Sequence, residues 1–264
     1  MTPILILGAG RMGGALIQGW RRAGTFHARD LMIRDPHPTD LALAAAADGA
    51  RLNPPDDDLA AAQTILLSVK PQLWRETAAQ VTSLLNPQAV IVSVAAGAGS
   101  VDISQAFGGR PVARVMPTTA VAIGQGTTSI YAATHEARAR AHALFASVGT
   151  VVDLAEEALM HAATAVSGSA PAYLYAFIEA LEAGGIAAGL APQAAQRLAR
   201  STIAGAAALL AQSGEEPAEL RRQVTSPGGT TQAALDVLMA PGGLTPLLRD
   251  AVASAVRRSK ELGA

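Results

Sequence analysis

The chain contains no cysteine, which excludes disulfide bonds, thiolate metal sites and a cysteine nucleophile. Lysine is almost missing: every basic residue except Lys70 and Lys260 is an arginine. A mechanism built on a lysine base or Schiff base therefore reduces mostly to Lys70, because Lys260 lies in the last turn of the chain. Aromatic residues make up only 3% of the 264 positions. Neither sign of charge dominates. The formal net charge is −1, which argues against a nucleic-acid binder that neutralises phosphates. No apolar run reaches the ~18 residues needed to span a bilayer. Met1-Thr2-Pro3-Ile4 puts no basic stretch before an apolar one, so no secretory signal is expected and a cytoplasmic location is. No His-x-x-x-His or carboxylate–histidine spacing suggests a metal, and none is expected. What the chain does have is hydrophobic mass: half of its residues are apolar, too many for a disordered chain and enough for a large core.

The first half alternates apolar runs with helical stretches. Ile4-Leu5-Ile6-Leu7 reads as a buried parallel strand ended by glycine. Further strands are expected at 31–33, 64–69, 89–94, 112–116, 127–131 and 151–152, with helices over 12–23, 40–47 and 72–85. This alternation predicts an α/β fold with a doubly wound parallel sheet and helices on both faces. After about residue 154 the strand signal disappears. Helices are expected over 156–166, 171–188, 192–212, 217–224, 230–239 and 244–262. The change of pattern divides the chain into an N-terminal dinucleotide-binding domain, 1–153, and an all-helical domain, 154–264. Thr202-Ile203-Ala204-Gly205-Ala206-Ala207-Ala208-Leu209-Leu210 is apolar nearly all round and must be buried on every side. About 110 residues cannot hide several such helices alone, so a partner subunit is expected to cover them.

Gly8-Ala9-Gly10-Arg11-Met12-Gly13 fits G-x-G-x-x-G, directly after the first strand, which ends at Leu7, and at the start of a helix. The first glycine permits a tight turn, the second lets a pyrophosphate approach the backbone, and the third lets helix pack on strand. The helix N-terminus offers N–H donors to phosphate. At the end of the second strand an acid would hold the ribose hydroxyls of NAD, and an arginine the extra phosphate of NADP. The sequence has both, as Arg34-Asp35. Either the guanidinium makes the phosphate contact or the two form a solvated pair. NADPH is the expected cofactor, with NADH as the alternative. Val69-Lys70-Pro71, Ala95-Ala96-Gly97 and Met116-Pro117-Thr118 also fall at C-terminal ends of strands, where such a sheet binds ligands. The small residues 95–97 leave room for a flat nicotinamide. Lys70 is either a contact to cofactor phosphate or ribose, or a surface lysine.

Two segments of the second half stand out. Thr225-Ser226-Pro227-Gly228-Gly229-Thr230-Thr231-Gln232 joins two expected helices. Pro-Gly-Gly breaks the first, and Thr230 or Thr231 can cap the second. Free N–H groups there, with the Ser226 hydroxyl, suit a carboxylate; spacing alone favours a plain loop with an N-cap threonine. Val166-Ser167-Gly168-Ser169-Ala170-Pro171-Ala172-Tyr173 puts small residues before a proline suited to a first helical turn. Its flanks do not spell G-x-S-x-G, so a structural break is the better reading than a nucleophile.

Together these segments resemble pyrroline-5-carboxylate reductase, the last enzyme of proline synthesis. The matching pieces are Gly8–Gly13, Val69-Lys70-Pro71, Ser93-Val94-Ala95-Ala96-Gly97, Arg114-Val115-Met116-Pro117, Val166–Tyr173 and Ser226-Pro227-Gly228-Gly229-Thr230-Thr231. They run in family order over almost the whole chain. The resemblance implies a Rossmann domain followed by a helical dimerisation domain, a homodimer, and commonly a decamer assembled from dimers. It implies that Ser226, Gly229 and Thr230 hold the substrate carboxylate, that Thr231 lies at the ring nitrogen as the catalytic residue, and that Glu157 contacts ligand. Three positions depart from the family pattern. Met-Pro-Asn-Thr-Pro reads Met116-Pro117-Thr118-Thr119-Ala120, which removes an amide near the nicotinamide end. The family's Ser-Gly-Ser-Gly or Ser-Gly-Ser-Ser reads Ser167-Gly168-Ser169-Ala170. An asparagine that often meets the adenosine ribose falls near Pro55, with Asn53 two places away. The implied reaction is hydride transfer to the C=N carbon of a cyclic imine. Alternatives are a related imine such as piperideine carboxylate and a non-catalytic NADP-binding dimer. A hydroxyacid dehydrogenase of similar architecture would carry a lysine on the helix 171–188, and none is there.

Overall fold

The computed structural model describes residues 1–262. They fall into two compact units, Met1–Gly168 joined by the chain from Ala255 onward, and Ser169–Ser254.

The first unit holds eight strands: β1 (Ile4–Leu7), β2 (Leu31–Arg34), β3 (Arg51–Leu52), β4 (Thr64–Leu67), β5 (Val90–Ser93), β6 (Val112–Pro117), β7 (Gly126–Ala132) and β8 (Gly149–Asp153). Their order in the sheet is β3-β2-β1-β4-β5-β6-β7-β8. Successive strands move outward on one side of β1 and then, from β4, on the other. The carboxyl ends of β1 and β4 therefore flank the crevice at which such sheets bind ligands. All pairings are parallel except β6–β7. That exception has a simple cause. Only residues 118–125, built around the 3-10 turn Thr119–Ile123 and Gly124 in the left-handed region at φ 74°, connect the two strands, and a parallel return needs a crossover of about a dozen residues.

Alternate residues of each strand face opposite sides of the sheet, and each side has its own core. On one, Ile4, Ile6, Ile33, Leu66 and Val92 pack with Leu16, Ile17 and Trp20 of α1 (Arg11–Ala23) and with Leu144 and Phe145 of α5 (His135–Phe145). On the other, Leu5, Leu7, Met32, Ile65 and Ile91 pack with Trp74, Ala78 and Val81 of α3 (Trp74–Val81) and with Ile103 of α4 (Ser100–Ala106). The short helix α2 (Asp40–Ala47) adds Ala42 and Ala45 to the first side. This is the doubly wound α/β arrangement expected from the strand–helix alternation.

Helices α4 and α5 were not expected from the sequence. Their apolar residues are small or few, so no strong stripe marks them. The helix expected over 72–85 is split: 3-10 turns at Pro71–Leu73 and Thr82–Leu84 bracket α3. The segment after β8 also departs from one regular helix. A 3-10 turn at Glu157–Leu159 leads into α6 (Met160–Ala163), and Thr164–Gly168 form a π turn. Within it Ser167 Oγ donates to Ala163 O at 2.8 Å and Thr164 Oγ1 to Met160 O at 2.8 Å; such back-bonding competes with the regular ladder. The strand pattern ends at Asp153, while the first compact unit runs on to Gly168.

The second unit contains α7 (Ala170–Ala187), α8 (Pro192–Ser213), α9 (Pro217–Gln223), α10 (Thr230–Leu238) and the start of α11 (Leu244–Glu261). Pro171 stands in the first turn of α7, where its missing N–H costs nothing. Helices α7 and α8 pack closely: a Cβ on Gly185 would lie 3.3 Å from the Ala195 Cβ. Yet only Ala195 and Ala199 of this unit are buried, whereas Tyr175 is 63% and Leu209 55% exposed. The apolar helices lack cover within the single chain.

Candidate functional site: a dinucleotide cleft and a helix-start loop

The glycine turn joins β1 to α1. Gly8 has φ +91°, and a Cβ there would lie 3.0 Å from Ser68 O and from Val69 N. Only glycine fits, because the left-handed region and the β4 backbone exclude a side chain together. A Cβ on Gly13 would collide with Gly8 O, whereas Gly10 has no heavy atom within 4 Å of its Cβ position. Gly13 thus packs against the turn, while the space beside Gly10 is open.

Several contacts hold this turn. Gly8 N donates to Arg34 O at 3.0 Å, and Ser68 Oγ donates to Gly8 O at 2.6 Å. Ala9 N donates to Asp35 Oδ2 at 2.7 Å, and His37 N donates to Asp35 Oδ1 at 2.8 Å. Asp35 therefore ties the glycine turn to the end of β2. Asn53, at φ +46°, clasps the same residue: its Oδ1 accepts from Asp35 N at 2.9 Å and its Nδ2 donates to Asp35 O at 3.0 Å. Arg34 Nη1 pairs with Asp56 Oδ1 at 2.7 Å.

A cleft of about 1070 Å³ opens over these residues. Leu7, Gly8, Gly10, Arg11, Met12, Arg34, Asp35, Val69, Lys70, Pro71 and Ala96 all line it, so most of the expected cofactor residues converge. Three do not. Gly13 packs beneath the turn, Ala95 is buried, and Gly97, at φ +82°, lines a neighbouring cleft. The cleft also uses residues that the sequence reading did not single out: Ser68, and Leu73, Thr77 and Gln80 along one side of α3 and its approach. The spacing 73, 77, 80 is a helix-face pattern and was the available signal.

The cleft fits a dinucleotide. It has a turn stripped of side chains at Gly8 and Gly10, a helix N-terminus at Arg11, and the cations Arg11, Arg34 and Lys70 on its walls. Those features match two phosphates and a ribose.

The neighbouring cleft, about 460 Å³, is walled by Arg114, Glu157, His161 and Lys260. Glu157 Oε1 accepts from Ser100 N at 2.6 Å and from Arg114 Nη1 at 2.8 Å, and Oε2 accepts from Ser100 Oγ at 2.6 Å. Burial alone would raise the Glu157 carboxyl pKa, but the bonds from Ser100 and Arg114 outweigh it and hold the pKa below 4.5. His161 Nδ1 lies 3.0 Å from Ser259 Oγ. Its imidazole is held below 6.5 by burial first and then by the charges of Arg114 and Lys260, against the pull of Glu157.

Ser226, Gly229, Thr230 and Thr231 come together in the second unit, at the turn between α9 and α10. Gly228 takes φ +71°, and Gly229 N donates to Ser226 O at 3.0 Å. The side-chain cap expected from a threonine is absent. Gly229 is the N-cap, with no side-chain capping bond, and Thr230 and Thr231 are already helical. The left-handed Gly228 turns the chain early and starts the helix before either hydroxyl reaches a capping position. The first-turn N–H groups of α10 thus receive no side-chain cap.

Comparisons with known proteins cover both halves. A family model described as pyrroline-5-carboxylate reductase dimerisation matches residues 157–262, and one described as NADP oxidoreductase, coenzyme F420-dependent, matches residues 3–97. A pyrroline-5-carboxylate reductase of Pisum sativum is 37% identical over 97% of this chain and 94% of its own. The Pseudomonas aeruginosa enzyme of the same name is 38% identical over 99% and 97%. Among solved structures, a pyrroline-5-carboxylate reductase from Coxiella burnetii superposes with a TM-score of 0.91 at 27% identity, covering 100% of this chain and 99% of its own. A pyrroline carboxylate reductase from Plasmodium falciparum, solved with NADP bound, gives 0.84 at 24% identity, covering 100% and 98%.

Proposed function

The chain belongs to the pyrroline-5-carboxylate reductase family, and on that premise we propose that it reduces the C=N bond of L-1-pyrroline-5-carboxylate to give L-proline, the last step of proline biosynthesis. The observation that carries this reading is likeness over almost the full length of both chains, at 37% and 38% identity. The cleft over Gly8 and Gly10 and the Ser226–Thr231 turn supply the chemistry it requires.

Bound in the first cleft, reduced nicotinamide supplies hydride for the imine carbon. NADPH is the preferred cofactor in this reading, because Arg34 lines the cleft where a ribose phosphate would lie. Gly8 and Gly10 admit the phosphates, and Ala96 leaves room beside the ring. A protonated cyclic imine is already electrophilic, so the protein need only align the partners and exclude water. That agrees with a sequence that nowhere spells the nucleophile motif G-x-S-x-G.

Ser226 Oγ and the uncapped N–H of Thr230 bind the substrate carboxylate, and Gly229, whose own N–H is turned back onto Ser226 O, gives it a close approach to the backbone. Thr231 hydrogen-bonds the ring nitrogen. Glu157 enters as a further substrate contact: an ionised carboxylate accepts at about four sites, and Ser100 and Arg114 use three of them. The protein works as a cytoplasmic homodimer that buries the apolar faces of α7 and α8, assembled further into rings of dimers. The divide at residue 153 separates the cofactor domain from the domain that carries the substrate loop and the dimer contacts.

The test is a spectrophotometric assay with racemic pyrroline-5-carboxylate, run with NADPH and with NADH. Steady oxidation of the dinucleotide is expected. Dinucleotide binding with no turnover overturns the proposal, and faster turnover of piperideine carboxylate reassigns the substrate.

A further inference from the structure

We propose that Asp56 is a specificity-determining residue: it restrains the Arg34 guanidinium at the rim of the first cleft and thereby lowers the preference for a 2′-phosphorylated dinucleotide. The inference rests on reading that cleft as the dinucleotide site.

Asp35 occupies the position at which an acid would discriminate in favour of NAD. Here its two oxygens serve the backbone, Oδ2 accepting from Ala9 N at 2.7 Å and Oδ1 from His37 N at 2.8 Å. Two of its about four acceptor sites are taken up by the backbone in this way. Attraction of a 2′-phosphate falls to Arg34, the cation beside it on the cleft wall.

Arg34 does not face the cleft alone. Its Nη1 lies 2.7 Å from Asp56 Oδ1, with the two side chains 33% and 58% exposed. The pairing is built into the chain path. Asn53 clasps both backbone polar groups of Asp35, at 2.9 and 3.0 Å, and Asn53 N donates to Ile33 O at 2.7 Å. These bonds pin the start of the loop to the end of β2. Pro54 and Pro55 then lead straight into the 3-10 turn Asp56–Ala61, so the first residue of that turn is delivered to Arg34.

The electrostatics follow directly. A 2′-phosphate brings close to two negative charges. Arg34 attracts it, and the Asp56 carboxylate, paired to the same guanidinium at 2.7 Å, repels it. A ribose 2′-hydroxyl carries no charge and is nearly indifferent to Asp56. Removing the acid therefore favours one dinucleotide and leaves the other alone.

The experiment is calorimetric titration of the full-length protein with NADP⁺ and with NAD⁺, comparing wild type, Asp56→Asn, Arg34→Gln and the double variant, with Asp56→Ala as a second replacement. Asp56→Asn and Asp56→Ala are expected to tighten NADP⁺ binding about fivefold and to change NAD⁺ binding by less than about twofold. In the Arg34→Gln background the gain should vanish, which a purely structural role of Asp56 would not produce. An unchanged NADP⁺ to NAD⁺ ratio, or weaker NADP⁺ binding, overturns the assignment of Asp56 while leaving the cleft as a dinucleotide site. Failure of the wild type to bind either dinucleotide overturns both.

Discussion

Arg114 Nη1 lies 2.8 Å from Glu157 Oε1, and the arginine side chain is only 7% exposed. The pair bridges β6 and the segment that follows β8, two strands away, and the same carboxylate holds both the N–H and the hydroxyl of Ser100 at the start of α4. One acid thus fixes three elements around the second cleft.

Replacing Glu157 with Gln leaves the Arg114 charge without its counter-ion and loses charge-assisted bonds. The expected loss is about 2–3 kcal/mol of stability at neutral pH, read from urea denaturation. The pH dependence has a definite sign. The folded carboxyl titrates below its ordinary 4.5, so its contribution is present above that value and disappears as pH falls through the folded pKa. The gap between wild type and variant should therefore close under acid. A gap that stays constant would mean that the ionised carboxylate is not the stabilising species.

The glycines of the opening turn should separate cleanly. Gly13→Ala forces a methyl group onto Gly8 O and is expected to lower both thermal stability and dinucleotide affinity. Gly10→Ala meets open space, so stability should change by less than about 0.5 kcal/mol. Its affinity should still fall about tenfold, since the methyl group would occupy the proposed approach to the phosphates. Equal affinity in the Gly10→Ala protein, by fluorescence titration, would remove the turn from the binding site.

Thr231→Ala tests the proposed substrate turn. It should lower kcat by about 10- to 100-fold and leave NADPH binding within about twofold, because the hydroxyl is assigned to substrate nitrogen and not to cofactor. Steady-state kinetics with pyrroline-5-carboxylate decide it; unchanged turnover rejects the role.

His161 reports the charge of the second cleft. Burial, Arg114 and Lys260 together lower its pKa below 6.5. Because the unfolded state binds the proton more readily, His161 costs stability as pH falls below 6.5. Lys260→Gln should raise the imidazole pKa toward 6.5, followed through the ring protons by NMR. An unchanged pKa would place Lys260 outside its electrostatic reach.

The apolar helices give a final prediction. Leu209, 55% exposed in the single chain, should sit in the dimer interface. Leu209→Glu would bury a carboxylate there, and sedimentation should show monomer or aggregate in place of dimer. An intact dimer would shift the interface elsewhere on α7 and α8.

Much of the fold can be read from the chain because burial writes it there. Ile4-Leu5-Ile6-Leu7 is apolar throughout since its alternate residues enter two different cores, and the same holds at 31–33, 65–67 and 90–92. Helices α7 and α8 announce themselves by prolines at their starts. Helix α5 does not, because His135-Glu136-Ala137-Arg138-Ala139-Arg140-Ala141 offers only methyl groups to the core. The antiparallel β7 was also hidden, since direction depends on the length of a connection rather than on strand composition.

The sequence by itself determined the glycine spacing, the strand-to-helix order and the small, hydroxyl-bearing turn at 225–231, because backbone sterics and hydrophobic period are local properties. Tertiary structure alone decided that Asp35 serves the Ala9 amide, that Asp56 meets Arg34, and that Glu157 gathers Ser100 and Arg114. Those are pairings of charge and hydrogen-bond capacity between residues 22 to 57 positions apart. Such pairings exist only after packing has brought the partners to within hydrogen-bonding distance and removed the water that would otherwise satisfy them.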